Sequence, residues 1–242
     1  MNRVHLTLQG KGGVGKSFVS ALLMQYLRDQ AESGEVVGVD TDPVNSTLIG
    51  YESLDARRVD LMDGSSLNER AFDQMMEMMV EEDATFVVDN GASSFIPLSH
   101  YIVENDAIAV LAEAGKEVMV HTVVTGGQAM GDTLRGFQSL AKQLPKEALL
   151  VVWCNEYFGA IEAEGKAFED MKVYQGQKDR VHGLIRIPRQ TSATYGKDME
   201  LMLDRKLTFA DIAESGDFGL MAKSRLAKVK RHLYEQMANL GL

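Results

Sequence analysis

Gly10, Lys11, Gly12, Gly13, Val14, Gly15, Lys16 and Ser17 are consecutive and fit the phosphate-binding pattern G-x-x-x-x-G-K-[ST] at every fixed position. Glycines in such a segment let backbone N–H groups turn inward around phosphate oxygens, which a β-carbon would obstruct. Lys16 is expected to reach the β- and γ-phosphates, and the Ser17 hydroxyl to ligate Mg2+. Lys11 is a second lysine that the pattern does not require.

A phosphate loop also needs a carboxylate to manage the metal and a group to activate water. Asp89 closes the apolar run Phe86-Val87-Val88, where a carboxylate can hold the Mg2+ shell; capping of the next turn is the plainer alternative. Asp40 and Asp42 stand in Asp40-Thr41-Asp42-Pro43. Two carboxylates this close on one loop can serve a metal ion and an attacking water together, whereas an ordinary Asx-Pro turn would use them only to shape the chain. The late apolar run Leu149 to Cys154 leads into Asn155-Glu156-Tyr157. The Asn-Lys-x-Asp segment of GTP-specific proteins is not there, so ATP is the expected nucleotide.

The elements that must position these residues can be read from periodicity. Val4 to Gln9 alternates like a strand and runs into the glycine loop, and Ser17 to Leu27 carries apolar residues, Phe18 and Leu22 among them, at helical spacing. Strand, loop and helix in that order is the context the motif requires. Strands are expected at 3–9, 35–40, 84–89, 117–124, 148–154 and 181–187, and helices at 17–31, 68–82, 98–104, 126–143, 190–204 and 219–240. Residues 106–115 read as a short helix with Asp106 as N-cap and Gly115 just past its end. This alternation predicts an α/β fold, a mostly parallel twisted sheet flanked by helices on both faces, with ligands at the carboxyl ends of the strands. No linker or repeat interrupts it, so residues 1–242 are expected to form a single P-loop NTPase domain.

Composition narrows the setting. The chain has 242 residues, 45% of them hydrophobic, with a net charge of −10, enough for a full core and against a surface coated in positive charge for nucleic acid. There is no apolar run long enough to span a membrane. The opening residues lead straight into an expected strand, so no signal peptide is expected. With a single cysteine, Cys154, a reducing cytoplasmic setting is expected, and Cys154 itself reads as a small buried apolar residue. Phe72, Met75, Met76, Met79 and Val80 form a core-facing helical stripe. The five histidines show no metal-ligand spacing, so no zinc site is assigned. In the last helix, Leu226, Val229, Leu233, Met237 and Leu240 share a face, while Lys223, Arg225, Lys228, Lys230 and Arg231 make a basic cluster. A packed helix with a solvated cationic face is the preferred reading; DNA or membrane contact through this helix is the alternative.

With Lys11, Asp40, Asp42 and Asp89 in place, the chain resembles the ParA/MinD group of deviant Walker ATPases, whose loop reads Lys-Gly-Gly-x-Gly-Lys-[Ser/Thr]. The resemblance implies that ATP is sandwiched in a homodimer, with Lys11 contacting phosphates bound by the partner subunit. It further implies that Asp42, the aspartate before proline, helps to activate water. Asn155 and the Ile187-Pro188-Arg189 segment would contact adenine, and Gly10 to Phe18 would bind the nucleotide. On this reading Lys11, Lys16 and Asp42 are catalytic, and Ser17, Asp40 and Asp89 serve the metal. A narrower resemblance, carried by Thr7 to Lys11, Val88 to Ser94, Pro97 to Tyr101 and His121 to Gln128, is to a conjugal-transfer protein of broad-host-range plasmids. It implies a conjugation or plasmid-maintenance protein as partner. The run Asp89-Asn90-Gly91-Ala92 departs from the group's usual pattern, with Gly91 the candidate for sensing the γ-phosphate, and the paired cysteines of iron–sulfur members are absent. The expected function is an ATP-binding and hydrolysing dimerisation switch. The alternatives are an ATP-dependent ligase or synthase of the same fold acting on a small carboxylate, and a scaffold that hardly hydrolyses ATP.

Overall fold

A computed structural model describes residues 2–31, 34–63, 66–190 and 192–242. The strands are β1 (Arg3–Thr7), β2 (Glu35–Asp40), β3 (Arg57–Arg58), β4 (Met62–Asp63), β5 (Ser66–Leu67), β6 (Ala84–Asp89), β7 (Glu117–Thr125), β8 (Leu149–Asn155), β9 (Glu162–Ala163), β10 (Lys166–Ala167) and β11 (Val181–Ile187). Seven form one sheet in the order β11-β8-β7-β1-β6-β2-β3, with every pairing parallel. The short pairs β4–β5 and β9–β10 are antiparallel ribbons outside it. The helices are α1 (Lys16–Gln30), α2 (Glu69–Glu81), α3 (Phe95–Glu104), α4 (Ala107–Glu113), α5 (Met130–Gln143), α6 (Lys172–Gln175), α7 (Lys197–Asp204), α8 (Phe209–Glu214) and α9 (Leu220–Asn239).

Alternation along the central strand splits the core in two. Val4, Leu6 and Leu8 face the layer built from α2, α3, α4 and α5, where Phe72, Met75 and Met79 form the expected stripe. On the other face Met119, Val123, Val151 and Trp153 pack under α1, α7, α8 and α9, against Leu22, Met202, Leu226 and Leu233. Strands buried on both faces explain their near-continuous apolar runs.

Boundaries shift where chemistry explains it. Helix α3 starts at Phe95, before the expected 98, because Pro97 falls in its first turn, where a missing N–H costs nothing. Helix α5 starts at Met130 rather than 126: Gly127 has φ 69°, and a β-carbon on Gly126 would stand 2.3 Å from the Gly159 carbonyl oxygen. Residues 190–204 are not one α-helix. A π-helical turn, Ser192–Gly196, precedes α7. Asp106 does not cap α4 with its side chain but sits in the left-handed region, while Gly115 and Lys116 close the helix with N–H bonds to Ala112 and Leu111. Helix α8 and the edge strand β3 were not anticipated.

Two histidines that lie far apart in sequence meet in the core. His5 Nδ1 lies 2.9 Å from His121 Nε2, and Trp153 Nε1 donates to His121 Nδ1 at 3.0 Å. Burial holds both imidazoles neutral, His5 at about 3. The pair is a hydrogen-bonded core element, and no cluster of three metal-ligating side chains exists among the described residues. Cys154 is fully buried, and burial pushes its thiol up to about 12. Helix α9 packs through Leu226, Val229, Leu233 and Met237. Three of its cations are engaged internally: Arg225 with Asp198, Lys230 with Asp29, and Lys223 with the Ala213 carbonyl. That leaves Lys228 and Arg231 as the exposed basic residues of the expected cluster without a described ion pair. No helix among the described residues is long and apolar enough to cross a membrane.

Candidate functional site

Register brings the chemistry to one edge. Thr7 pairs with Asp89, and Asp89 with Asp40, so the carboxyl ends of β1, β6 and β2 finish at the same level. The phosphate loop leaves β1 there. Gly13 and Gly15 adopt φ of 71° and 103°, a left-handed conformation that side chains disfavour. Gly15 is the N-cap of α1, whose first turn holds no acidic residue. The helix therefore presents free N–H groups and an uncompensated positive dipole end to the loop.

The two lysines of the loop point to different places. Lys16 is 8% exposed, and its Nζ donates to the Lys11 carbonyl at 3.1 Å. Burial lowers its pKa, while Asp89 and Asp42 oppose the shift. The Lys11 side chain turns outward to Asp132 on α5, 3.0 Å from Nζ to Oδ2. Asp132 also pairs with Arg135.

Asp89 is buried beneath the loop. Its Oδ1 lies 3.0 Å from the Ser20 hydroxyl, which is also 2.9 Å from Thr7 Oγ1, and its Oδ2 has no partner. Burial raises its pKa to about 7; the Ser17 hydroxyl opposes the rise and Asp40 adds to it. An orphaned buried carboxylate oxygen beside the loop serine is the donor set a hydrated Mg2+ needs, so the residues fit that ion. Asp40, expected to support the metal, also bonds its own loop. Oδ1 accepts the Asp42 N–H, and Oδ2 accepts those of Leu48 and Ile49. Its carboxylate shapes the loop after β2, and burial raises its pKa against those three bonds. Asp42 forms an Asx turn, Oδ1 accepting from Val44 and Asn45.

Two cavities adjoin the loop. One, of about 590 Å3, is of mixed lining, with Lys16, Ser17, Asp42, Asn45 and Ser93 beside Phe18, Val44 and Tyr51; the loop lysine and hydroxyls on its wall suit phosphates. The second, about 230 Å3, is mostly apolar and lined by Asn155, Tyr157, Phe158, Ile187, Pro188, Met199 and Leu233 among others, the character of a base or ring pocket. Gly13, Gly15, Phe18 and Leu203 border both. Asn155 fastens this pocket to the loop: its Nδ2 donates to the Val14 carbonyl at 2.9 Å, and its Oδ1 accepts the Tyr157 N–H. Arg189 is exposed and does not line the pocket; Gln190 does. Glu156 is paired with Arg186 on the neighbouring strand.

Sequence reasoning missed Ser20, Gln190, Met199 and Asp132. Ser20 left a signal, a polar residue on the buried face of α1 one turn after Ser17. The others depend on long-range packing and left none.

A family model described as the CobQ/CobB/MinD/ParA nucleotide binding domain matches residues 6–202. A protein TraL from Escherichia coli is 48% identical over 237 residues, covering 98% of this chain and 98% of that protein. A second TraL from Escherichia coli is 46% identical over 239 residues, 99% and 98% of the two chains. TraL is the protein to which the narrower sequence resemblance points. Among solved structures, the MinC:MinD cell division protein complex of Aquifex aeolicus matches with a TM-score of 0.51 over 96% of each chain at 14% identity, a likeness of fold.

Proposed function

The chain belongs to the CobQ/CobB/MinD/ParA nucleotide-binding family and is similar along nearly its whole length to TraL proteins, and we propose that it is an ATP-operated dimerisation switch serving plasmid conjugal transfer or plasmid positioning. The observation that carries this reading is the divergence of the two loop lysines. Lys16 stays inside its own site, while Lys11 projects outward on an exposed salt bridge. A cation so placed is available to phosphates bound by a second copy, which couples association to the terminal phosphate.

In this reading the loop amides from Gly10 to Ser17 and the N-terminus of α1 hold the phosphates, and Lys16 neutralises them. Adenine enters the apolar pocket between Phe18, Asn155 and Pro188, with Arg189 at most at its rim. Ser17 and Asp89 are the residues that would hold Mg2+, which would supply charge neutralisation on the phosphates. Asp40 fixes the loop that carries Asp42. Asp42 orients a water towards the terminal phosphorus: a bond forms from the water oxygen, the bond to ADP breaks, and the proton leaves on the released phosphate. Hydrolysis is slow and stimulated by a partner. Val44 and Ile96, 73% and 63% exposed beside this edge, are apolar surface for a second copy to cover. The dimer then presents a surface to a conjugation or plasmid-maintenance protein, as the MinD of the solved complex assembles with MinC.

The test separates the lysines. Lys16→Ala is expected to abolish binding of a fluorescent ATP analogue. Lys11→Ala is expected to retain binding and lose turnover. Normal turnover in Lys11→Ala would remove the role across the interface.

A further inference from the structure

Beneath the phosphate cavity three polar side chains are buried together: Thr41 and Asn90, each 1% exposed, and Ser94, fully buried. Asn90 Oδ1 accepts from the Thr41 hydroxyl at 3.1 Å and from the Ser94 hydroxyl at 2.8 Å, and its Nδ2 donates to the Gly91 carbonyl at 3.0 Å. The Thr41 N–H donates to the Asp89 carbonyl at 2.9 Å. One side chain thus ties the end of β2, the end of β6 and the N-cap of α3. The cluster is satisfied, so it holds a definite geometry; losing one member would leave buried polar atoms unpaired.

What it holds is the neighbour of Thr41, Asp42. A β-carbon on Gly91 would stand 2.8 Å from Asp42 Cγ, 2.9 Å from its Oδ1 and 3.0 Å from its Cα. Gly91 is not in the left-handed region, so its backbone accepts any residue. The need for glycine there is the space taken by Asp42. Asp42 is therefore fixed from two sides, through Thr41 by Asn90 and by direct contact with Gly91. Nothing in the cluster reaches the phosphate cavity except Asp42 itself, whose Oδ2 no described residue bonds.

We propose that Asn90 and Gly91 are positioning residues for hydrolysis, Asn90 anchoring the Thr41–Asp42 backbone and Gly91 leaving the space in which the Asp42 carboxylate stands. This gives the run Asp89-Asn90-Gly91-Ala92, which departs from the family pattern, a mechanical job distinct from contact with the nucleotide. It also places α3 in the same unit, since Ser94 stands at the N-cap position of that helix and the Phe95 ring lies against Gly10, 2.8 Å from where a β-carbon would be.

The inference rests on Asp42 as the group that orients water, and the experiment keeps the two apart. ATP affinity, kcat and KM are measured for the wild type and for Asp42→Ala, Gly91→Ala, Asn90→Ala, Thr41→Val and Thr41→Ser. Expected are kcat losses of about ten-fold or more in Gly91→Ala, Asn90→Ala and Thr41→Val, as for displacements of order 1 Å, with ATP affinity near that of wild type. Thr41→Ser, which keeps the hydroxyl, restores kcat. Wild-type kcat in Gly91→Ala beside an inactive Asp42→Ala overturns the positioning role and leaves the role of Asp42 standing. Wild-type kcat in Asp42→Ala overturns that role itself. Loss of ATP affinity in step with kcat across the cluster variants also overturns the inference, because that is what a purely structural cluster would give. If Thr41→Val does not fold, Gly91→Ala, which adds one methyl at the cavity edge, carries the test.

Discussion

Replacing Asp89 by asparagine should stabilise the nucleotide-free protein, relative to wild type, more at alkaline than at acid pH. Burial raises this carboxyl from 3.8 to about 7 in the folded chain. Between those values the folded chain keeps a proton that the unfolded chain has lost, so wild-type stability falls as pH rises. At 1.36 kcal/mol per pH unit, with the slope fading as the folded group titrates near pH 7, passing from pH 5 to pH 7 costs the wild type about 2 kcal/mol. The asparagine variant has no such titration. Its amide nitrogen, placed where Asp89 Oδ2 now lacks a partner, carries a penalty of about 1–3 kcal/mol, but that penalty is independent of pH and cancels between the two conditions. For a chain of this length the difference in Tm between variant and wild type should grow by about 5–10 °C from pH 5 to pH 8. Calorimetry of both proteins, free of nucleotide and metal, measures it. A difference that stays within about 1 °C at the two pH values, against that expected span, would refute the assignment of a proton to buried Asp89. The same variant should gain no stability from Mg-ATP.

Gly126→Ala should destabilise the fold by about 1–3 kcal/mol, as overpacking does, because its methyl would meet the backbone carbonyls of Gly159 and Ala160. Chemical denaturation reads this, and an unchanged midpoint would contradict the close approach. Asp132→Asn should leave stability unchanged and, by releasing Lys11, strengthen ATP-dependent association; sedimentation equilibrium showing weaker association would count against Lys11 acting on a second copy.

The sheet was legible because most of its strands are short apolar β-branched runs: 35–40 and 84–89, each closed by an aspartate, match β2 and β6 to the residue, and 181–187 matches β11 although it carries His182 and Arg186. The phosphate loop was legible because its backbone demands glycines at fixed places, and Gly13 and Gly15 do adopt left-handed angles. What escaped depends on space rather than pattern. The strand-end position of Asp40 gave no sign that three amides of its own loop bond its carboxylate. Arg189 follows Ile187-Pro188 in sequence, yet the chain turns it to solvent and Gln190 into the pocket. His5 and His121 gave no local signal of their contact, which exists only because β1 and β7 are neighbours. The start of α5 slipped because Gly126 and Gly127 are held by a loop more than thirty residues downstream.

The most direct test of the switch is solution mass by light scattering, with and without Mg-ATP, on the wild type, Asp42→Ala and Lys11→Ala. The account predicts a monomer without nucleotide, a dimer with Mg-ATP that persists in Asp42→Ala, and a monomer in Lys11→Ala throughout. A wild-type monomer with ATP demonstrably bound would contradict it.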